Sequence, residues 1–389
     1  MSKQDSLRTR TVRAALETDT QHGAVVPPLH LTSTFAFGGY GEKREYDYSR
    51  SGNPTRDALG RALADLEGGV GAVVTASGMG AVSLVTQFFR PDQVAVVPHD
   101  CYGGTYRLFN ALNLRGALQV KFVDYQDAAA LDAAIATKPA LVWIETPSNP
   151  LLRIVDIAAV ASKAKAVGAL VVADNTFLSP LWQQPLALGA DLVVHSTTKY
   201  LNGHSDVVGG AVIAATAELH EQVRWWGNCI GVTGAPFDSF LTLRGLRTLH
   251  ARMRAHGENA QRVAELLDRH PAVAKVYFPG LASHPGHEIA RRQQQGFGAM
   301  VSFELQGNVE NVKALLAHLE YFSLAESLGG VESLVAHPAS MTHAAMDEAA
   351  RARAGISATL VRLSVGIEDG DDLVRDLTTG LDAAIHAAA

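Results

Sequence analysis

Six short apolar runs recur between residues 72 and 213, and they limit the chain to few folds. They are Ala72-Val73-Val74, Val94-Ala95-Val96-Val97, Leu141-Val142-Trp143-Ile144, Leu170-Val171-Val172-Ala173, Leu192-Val193-Val194 and Val208 to Ile213. Helical stretches lie between them, among them Gly80 to Phe89, Ala128 to Ala136 and Ile157 to Val167. Runs too short for helices, alternating with helices, predict a mostly parallel sheet covered on both faces. In such a sheet ligands bind at the carboxyl ends of the strands.

The chemistry-bearing residues cluster at those ends. Leu192 to Val194 leads into His195-Ser196-Thr197-Thr198-Lys199-Tyr200, and Leu170 to Ala173 leads into Asp174-Asn175. A lysine able to form a Schiff base, hydroxyls for a phosphate and an acid for a pyridinium nitrogen are what pyridoxal phosphate (PLP) requires of a protein. Most lysines are solvated surface groups. Lys199 differs in its context, because apolar walls lower an amine's pKa and make it nucleophilic. Asp174 alone fits a turn or helix cap equally well; with Lys199 one strand later it reads as the partner of the ring nitrogen. Ser77-Gly78-Met79-Gly80 follows a strand and opens a helix, the arrangement that offers backbone N–H groups to phosphate. Tyr102, after His99-Asp100-Cys101, is either a half-buried tyrosine or a ring stacked on a flat cofactor.

Other patterns fail. Gly78-x-Gly80 lacks the third glycine of a dinucleotide site. Gly203-His204-Ser205-Asp206 has Val207 where a nucleophile elbow needs glycine. His284-Pro285-Gly286-His287-Glu288 disfavours the helix of a zinc pair, so no metal is expected. Cys101 reads as a small buried hydrophobe.

Around this centre the chain has three parts. Residues 1–60 carry breakers such as Pro27-Pro28 and Asn53-Pro54, and read as an irregular segment lying over another surface. Residues 61–249 hold the α/β pattern. Residues 250–389 begin with a long amphipathic run, Leu249 to Arg269. Three runs then alternate like half-exposed strands, at Lys275 to Phe278, Ala299 to Glu304 and Leu360 to Val365. Helical runs at Asn311 to Leu319 and Asp371 to His386 complete a smaller α+β domain. The 389 residues suffice for two domains, and a net charge of -6 gives no footprint for nucleic acid. No apolar stretch approaches the roughly 18 residues a membrane span needs. Two cysteines supply no disulfide framework, so a cytoplasmic protein is expected.

Longer motifs accompany these residues. They are Tyr46-Asp47-Tyr48-Ser49-Arg50, Gly52-Asn53-Pro54-Thr55-Arg56, Asp100-Cys101-Tyr102-Gly103-Gly104, Glu145-Thr146-Pro147-Ser148-Asn149-Pro150, Asp174-Asn175-Thr176-Phe177, His195 to Asn202 and Glu326-Ser327-Leu328-Gly329-Gly330. Over almost its whole length the chain resembles the PLP-dependent enzymes of cysteine and methionine metabolism. The resemblance implies the aspartate-aminotransferase-like fold, fold type I. It assigns Lys199 to PLP attachment and proton transfer, Asp174 to the ring nitrogen, and Tyr102 to ring stacking and assistance in proton transfer. Gly78, Met79, Ser196 and Thr198 would bind the phosphate, and Tyr48 and Arg50 would reach it from a neighbouring subunit. That implies a homotetramer built as a dimer of active dimers. Arg362 would clamp the substrate α-carboxylate, Asn149 would sit near both the cofactor and that carboxylate, and Glu326 and Ser327 would line the substrate and thiol side.

The implied reaction is γ-replacement, joining O-succinyl- or O-acetylhomoserine with cysteine; γ-elimination or sulfhydrylation on the same scaffold is the alternative. Some relatives carry a second arginine after the position of Arg50, where this chain has Ser51. That leaves Arg107 as the candidate for a succinyl carboxylate.

Overall fold

The computed structural model describes residues 5–341, 351 and 354–386. Seven strands form the main sheet: β1 (Gly71–Thr75), β2 (Val94–Pro98), β3 (Gln119–Val123), β4 (Leu141–Glu145), β5 (Leu170–Asp174), β6 (Leu192–Ser196) and β7 (Gly210–Ala214). Their order is β1-β7-β6-β5-β4-β2-β3. β7 runs antiparallel to both neighbours, while the other pairings are parallel. Successive residues along each central strand alternate between two cores. Val96, Val142, Ile144, Val171 and Ala173 meet helices Ala128–Ala136 and Ile157–Ala166 on one face. Ala95, Val97, Trp143, Val172 and Val194 meet helices Gly78–Thr86 and Gly103–Leu114 on the other. Burial on both faces is why these strands read as continuous apolar runs.

The expected strands and helices recur with small shifts. The run expected from Val208 starts as strand only at Gly210, and Val208 itself is exposed. β3 carries no apolar run because it is an edge strand with Gln119 and Lys121 facing out. The link from β6 to β7, residues 197–209, reverses the chain without a crossover helix. It places Lys199 at the carboxyl edge of the sheet.

The irregular N-terminal segment ends earlier than expected, because helix Pro54–Glu67 crosses residue 60. Asn53-Pro54 starts this helix rather than breaking it. The Asn53 side chain accepts from the Thr55 and Arg56 N–H groups, and Pro54 occupies the first turn, where no N–H is required.

Five further strands form a second sheet, β8 (Val273–Tyr277), β9 (Met300–Leu305), β10 (Ser323–Leu324), β11 (Leu334–Ala336) and β12 (Leu360–Ser364), in the order β10-β11-β12-β9-β8. The expectation of half-exposed strands holds for β8 but fails for β9 and β12, which are buried almost throughout. One face packs Val301, Phe303, Val361 and Leu363 into the core with Met253, Val263, Leu315 and Leu377. The polar positions of the other face turn toward protein instead of water. Ser302 Oγ donates to Pro150 O at 2.6 Å, and Arg362 Nη1 donates to Asn149 Oδ1 at 3.0 Å. The polar-apolar alternation therefore marks an internal contact with the main sheet's loops.

Arg252, on helix Leu249–Arg269, joins this frame to the turn after Lys199. It is 4% exposed and donates to Tyr200 O and Gly245 O, each at 2.8 Å. Replacing it leaves buried carbonyls unpaired, so Arg252→Met should cost about 2–4 kcal/mol in denaturant unfolding. A loss below about 0.5 kcal/mol, the range of surface substitutions, would show that Arg252 does not brace the turn.

Candidate active site

The carboxyl ends of β1, β2, β4, β5 and β6 open on one edge of the sheet, and the loop 326–330 closes over it. Lys199 Nζ donates to Ser327 Oγ at 2.7 Å. Burial pulls the Lys199 amine down to about 8; the nearby Arg362 charge acts in the same direction, and Glu326 opposes it. Ser327 has φ +83°, a left-handed conformation uncommon outside glycine. Gly329 permits the tight approach that follows. A Cβ there would sit 2.7 Å from Tyr200 N, so the loop rests on the main chain of the lysine turn.

Arg362 is 3% exposed, and burial lowers its pKa to about 10. Nη1 meets Asn149, Nη2 donates to Ser327 O at 2.9 Å, and buried Nε has no partner among the described residues. The guanidinium is thus oriented by two neighbours and keeps a donor unspent. Lys199, Ser327, Arg362 and Asn149 form one connected group. Glu326 is exposed at its rim and is near enough to act on the charges of Lys199 and Arg362.

Asp174 is half-buried at the end of β5. Its Oδ1 accepts from Thr176 N at 3.0 Å, the turn-forming contact that its position suggests. Burial raises its pKa, while the Thr176 hydroxyl and N–H and the charge of His195 pull it back. His195 is buried behind it, its Nε2 2.5 Å from Glu67 Oε1.

Helix Gly78–Thr86 begins where the Gly-rich turn predicts, with Ser77 Oγ accepting from Gly80 N at 2.9 Å. A Cβ on Gly78 would lie 2.7 Å from Ser196 Cβ, so only glycine lets the helix N-terminus lie against Ser196. Ser196 Oγ has no protein partner among the described residues. Thr198 Oγ1 donates to Gly209 O at 3.2 Å and accepts from Gly209 N at 3.0 Å, so its proton is already used within the turn. The Tyr102 ring and the Met79 sulfur converge over Gly104, each within 2.8 Å of where a Cβ would stand, and Tyr102 is 44% exposed.

These groups fit PLP. A carboxylate at a strand end suits the ring nitrogen, a helix N-terminus against a free hydroxyl suits the phosphate, and an exposed ring suits the flat face.

The structure does not bring Tyr48 and Arg50 to this group. Both are exposed, the Arg50 guanidinium lies 5.8 Å from the Tyr48 ring, and Arg50 Nη1 donates to Asn228 O at 2.8 Å. No contact among the described residues ties either to Lys199 or Ser196. Arg107 is exposed on helix Gly103–Leu114, and Ser51 donates locally to Tyr48 O at 2.7 Å. Cys101 is buried, which pushes its thiol well above the usual range. His284 lies outside the helix that starts at His287.

Glu145, quoted above only within a longer motif, has a place in the site that its sequence position alone did not reveal. It is an acid ending a strand whose other four residues are apolar, and both its oxygens accept from Tyr102 N. Its signal was there: a carboxylate directly after a fully buried run needs a reason.

The titration of Lys199 yields a test on cofactor-free protein. Below about pH 8 the amine is protonated and unreactive; above it the neutral amine reacts. Labelling of Lys199 by an amine reagent should rise with pH through a midpoint near 8, whereas surface lysines rise near about 10.4. A Lys199 midpoint coinciding with the surface lysines would contradict the low-dielectric site.

Residues 8–382 match the Cys/Met metabolism PLP-dependent enzyme family. Cystathionine gamma-synthase of Escherichia coli K12 is 59% identical over 377 residues, covering 97% of this chain and 98% of its own. Cystathionine beta-lyase of Coxiella burnetii is 47% identical over 382 residues, covering 98% and 99%. The crystal structure of cystathionine gamma synthase from Xanthomonas oryzae pv. oryzae, in complex with aminoacrylate and cysteine, superposes with a TM-score of 0.97 at 61% identity, covering 98% of this chain and 99% of that one. With a family match over nearly its full length and relatives this similar, the chain belongs to the PLP-dependent enzymes of cysteine and methionine metabolism.

Proposed function

We propose that the chain is a cystathionine γ-synthase, joining an O-acylated homoserine to cysteine by γ-replacement. The observation that carries this reading is similarity at high identity. The relatives sharing 59% and 61% of their residues are both γ-synthases, whereas lyases share 47% and 43%. The site geometry agrees with it.

Bound PLP supplies an electron sink that stabilises negative charge on the substrate carbons. The protein's part is to hold groups and move protons. Gly78, Met79 and Ser196 would hold the phosphate at the helix N-terminus, with Thr198 joining if its proton leaves Gly209. Asp174 would hold the ring nitrogen charged, and Tyr102 would cover a ring face. The fork of Arg362, fixed by Asn149 and Ser327 O, would take the substrate α-carboxylate.

γ-Replacement requires proton removal at Cα and then at Cβ, both reversed after the thiol adds. One amine serving both carbons needs a pKa near neutrality and a mobile stem. Lys199 combines an amine at about 8 with a single hydroxyl tether. Glu326 at the rim would face the incoming cysteine. Arg107 is the cation we assign to a succinyl carboxylate, since Ser51 cannot serve and spends its hydroxyl locally.

The same reading makes the enzyme a cytoplasmic homotetramer, a dimer of active dimers. Support comes from Tyr48 and Arg50, exposed and unengaged with their own chain's site. Among the described residues no helix is long and apolar enough to cross a membrane.

Lys199→Ala should abolish turnover, and a variant with near wild-type turnover would refute the mechanism. For the branch, purified enzyme should make cystathionine from O-succinyl- or O-acetylhomoserine plus cysteine faster than it releases 2-oxobutyrate from cystathionine. The reverse order would make it a lyase. For the shared site, inactive Arg50→Ala and Lys199→Ala proteins, dissociated and mixed, should regain activity in hybrid assemblies. No recovery in demonstrated hybrids would place each site within one chain.

A further inference from the structure

Glu145 has no part in the chemistry above, yet it ends β4 at the same edge of the sheet and touches Tyr102. It is 6% exposed and closes a strand buried at all five positions. Among the described residues it has no ion pair. Its two oxygens share one donor, Tyr102 N, at 3.0 and 2.9 Å. Its register partner on β5 is Asp174, so two acids leave the same face of neighbouring parallel strands.

The two are unequally supported. Asp174 receives the Thr176 N–H at 3.0 Å and has His195 near it on β6. Glu145 has one N–H and faces acids. Asp174 is its register neighbour on β5, and the charge of Asp100 also acts on it, Asp100 already holding Arg153 Nη1 at 3.1 Å and Ser148 Oγ at 2.8 Å. Cys101 beside it is kept neutral by burial. A buried acid next to a half-buried one does not ionise along with it, and the better-solvated one keeps the charge. Burial and the charge of Asp174 push Glu145 well above the usual carboxylate range.

The donor that Glu145 accepts also matters. Tyr102 is the N-cap of helix Gly103–Leu114, and no side chain caps that helix. The Glu145 contact fixes the main chain from which the Tyr102 ring projects over Gly104 and Met79.

We propose that Glu145 is a positioning residue: it seats the Tyr102 main chain and carries the single proton of its pair with Asp174, leaving Asp174 the anion. The inference rests on Asp174 and Tyr102 as cofactor contacts, but its first readout does not. Holoenzyme containing carboxyl-labelled glutamate should show a protonated-acid carbonyl band in the infrared at pH 7, and Glu145→Gln should remove it. A spectrum without a band that Glu145→Gln removes overturns the proposal. The second readout is PLP affinity, titrated by cofactor absorbance on apoenzyme. Glutamine mimics the neutral acid and keeps an acceptor, so E145Q should bind PLP within about threefold of wild type. E145A loses the acceptor and should bind about tenfold more weakly or worse. An E145Q protein as impaired as E145A, or an E145A protein as tight as wild type, overturns it. If E145A does not fold, the band and the E145Q affinity decide alone.

Discussion

The hydrogen bond from Lys199 Nζ to Ser327 Oγ joins two parts of the molecule that fold around different sheets. Lys199 sits in the reversal after β6, and Ser327 sits in the loop between β10 and β11. Neither sheet forms the contact without the other. Ser327 holds a backbone conformation that costs an L-residue about 1–2 kcal/mol. The surroundings impose it: Arg362 takes the Ser327 carbonyl, Gly329 lies on the Lys199-Tyr200 main chain, and Ser364 Oγ accepts from Gly329 N at 2.9 Å. Strain concentrated beside a buried amine of lowered pKa is what a pre-set site would show.

Burial sets the charges of the site more than ion pairing does. It lowers the Lys199 amine, lowers Arg362 and raises Asp174 and Glu145. No close ion pair neutralises Lys199 or Arg362 among the described residues, so both cations face the space between the sheets with capacity to spare. An anion entering that space would meet an oriented guanidinium. The amine beside it lies within reach of neutrality.

Much of this frame was legible in the sequence, for a physical reason. Strands buried on both faces leave continuous apolar runs, so β2, β4, β5 and β6 and the acid and lysine at two of their ends could be read directly. Helices Ala128–Ala136 and Leu249–Arg269 fall where their periodicity puts them. Edge strand β3 was illegible because half of it meets water, and β10 is only two residues long. Asn53-Pro54 is ambiguous by chemistry, since the residues that break a chain also start a helix. The polar positions on β9 and β12 misled because alternation reports a polar neighbour and does not say whether that neighbour is solvent. In the site, the left-handed Ser327 and the Glu145 contact to Tyr102 join residues far apart in sequence, and no spacing rule encodes them. The partial commitment of Thr198 to Gly209 was hidden for the same reason.

The central claim is that Lys199 is the amine to which this fold delivers PLP. Borohydride reduction of the holoenzyme, followed by proteolysis and mass spectrometry, tests it directly. The account predicts one pyridoxyl-modified site, at Lys199, and loss of that adduct in Lys199→Ala. A stoichiometric adduct on another lysine, or holoenzyme with no reducible attachment, would contradict it.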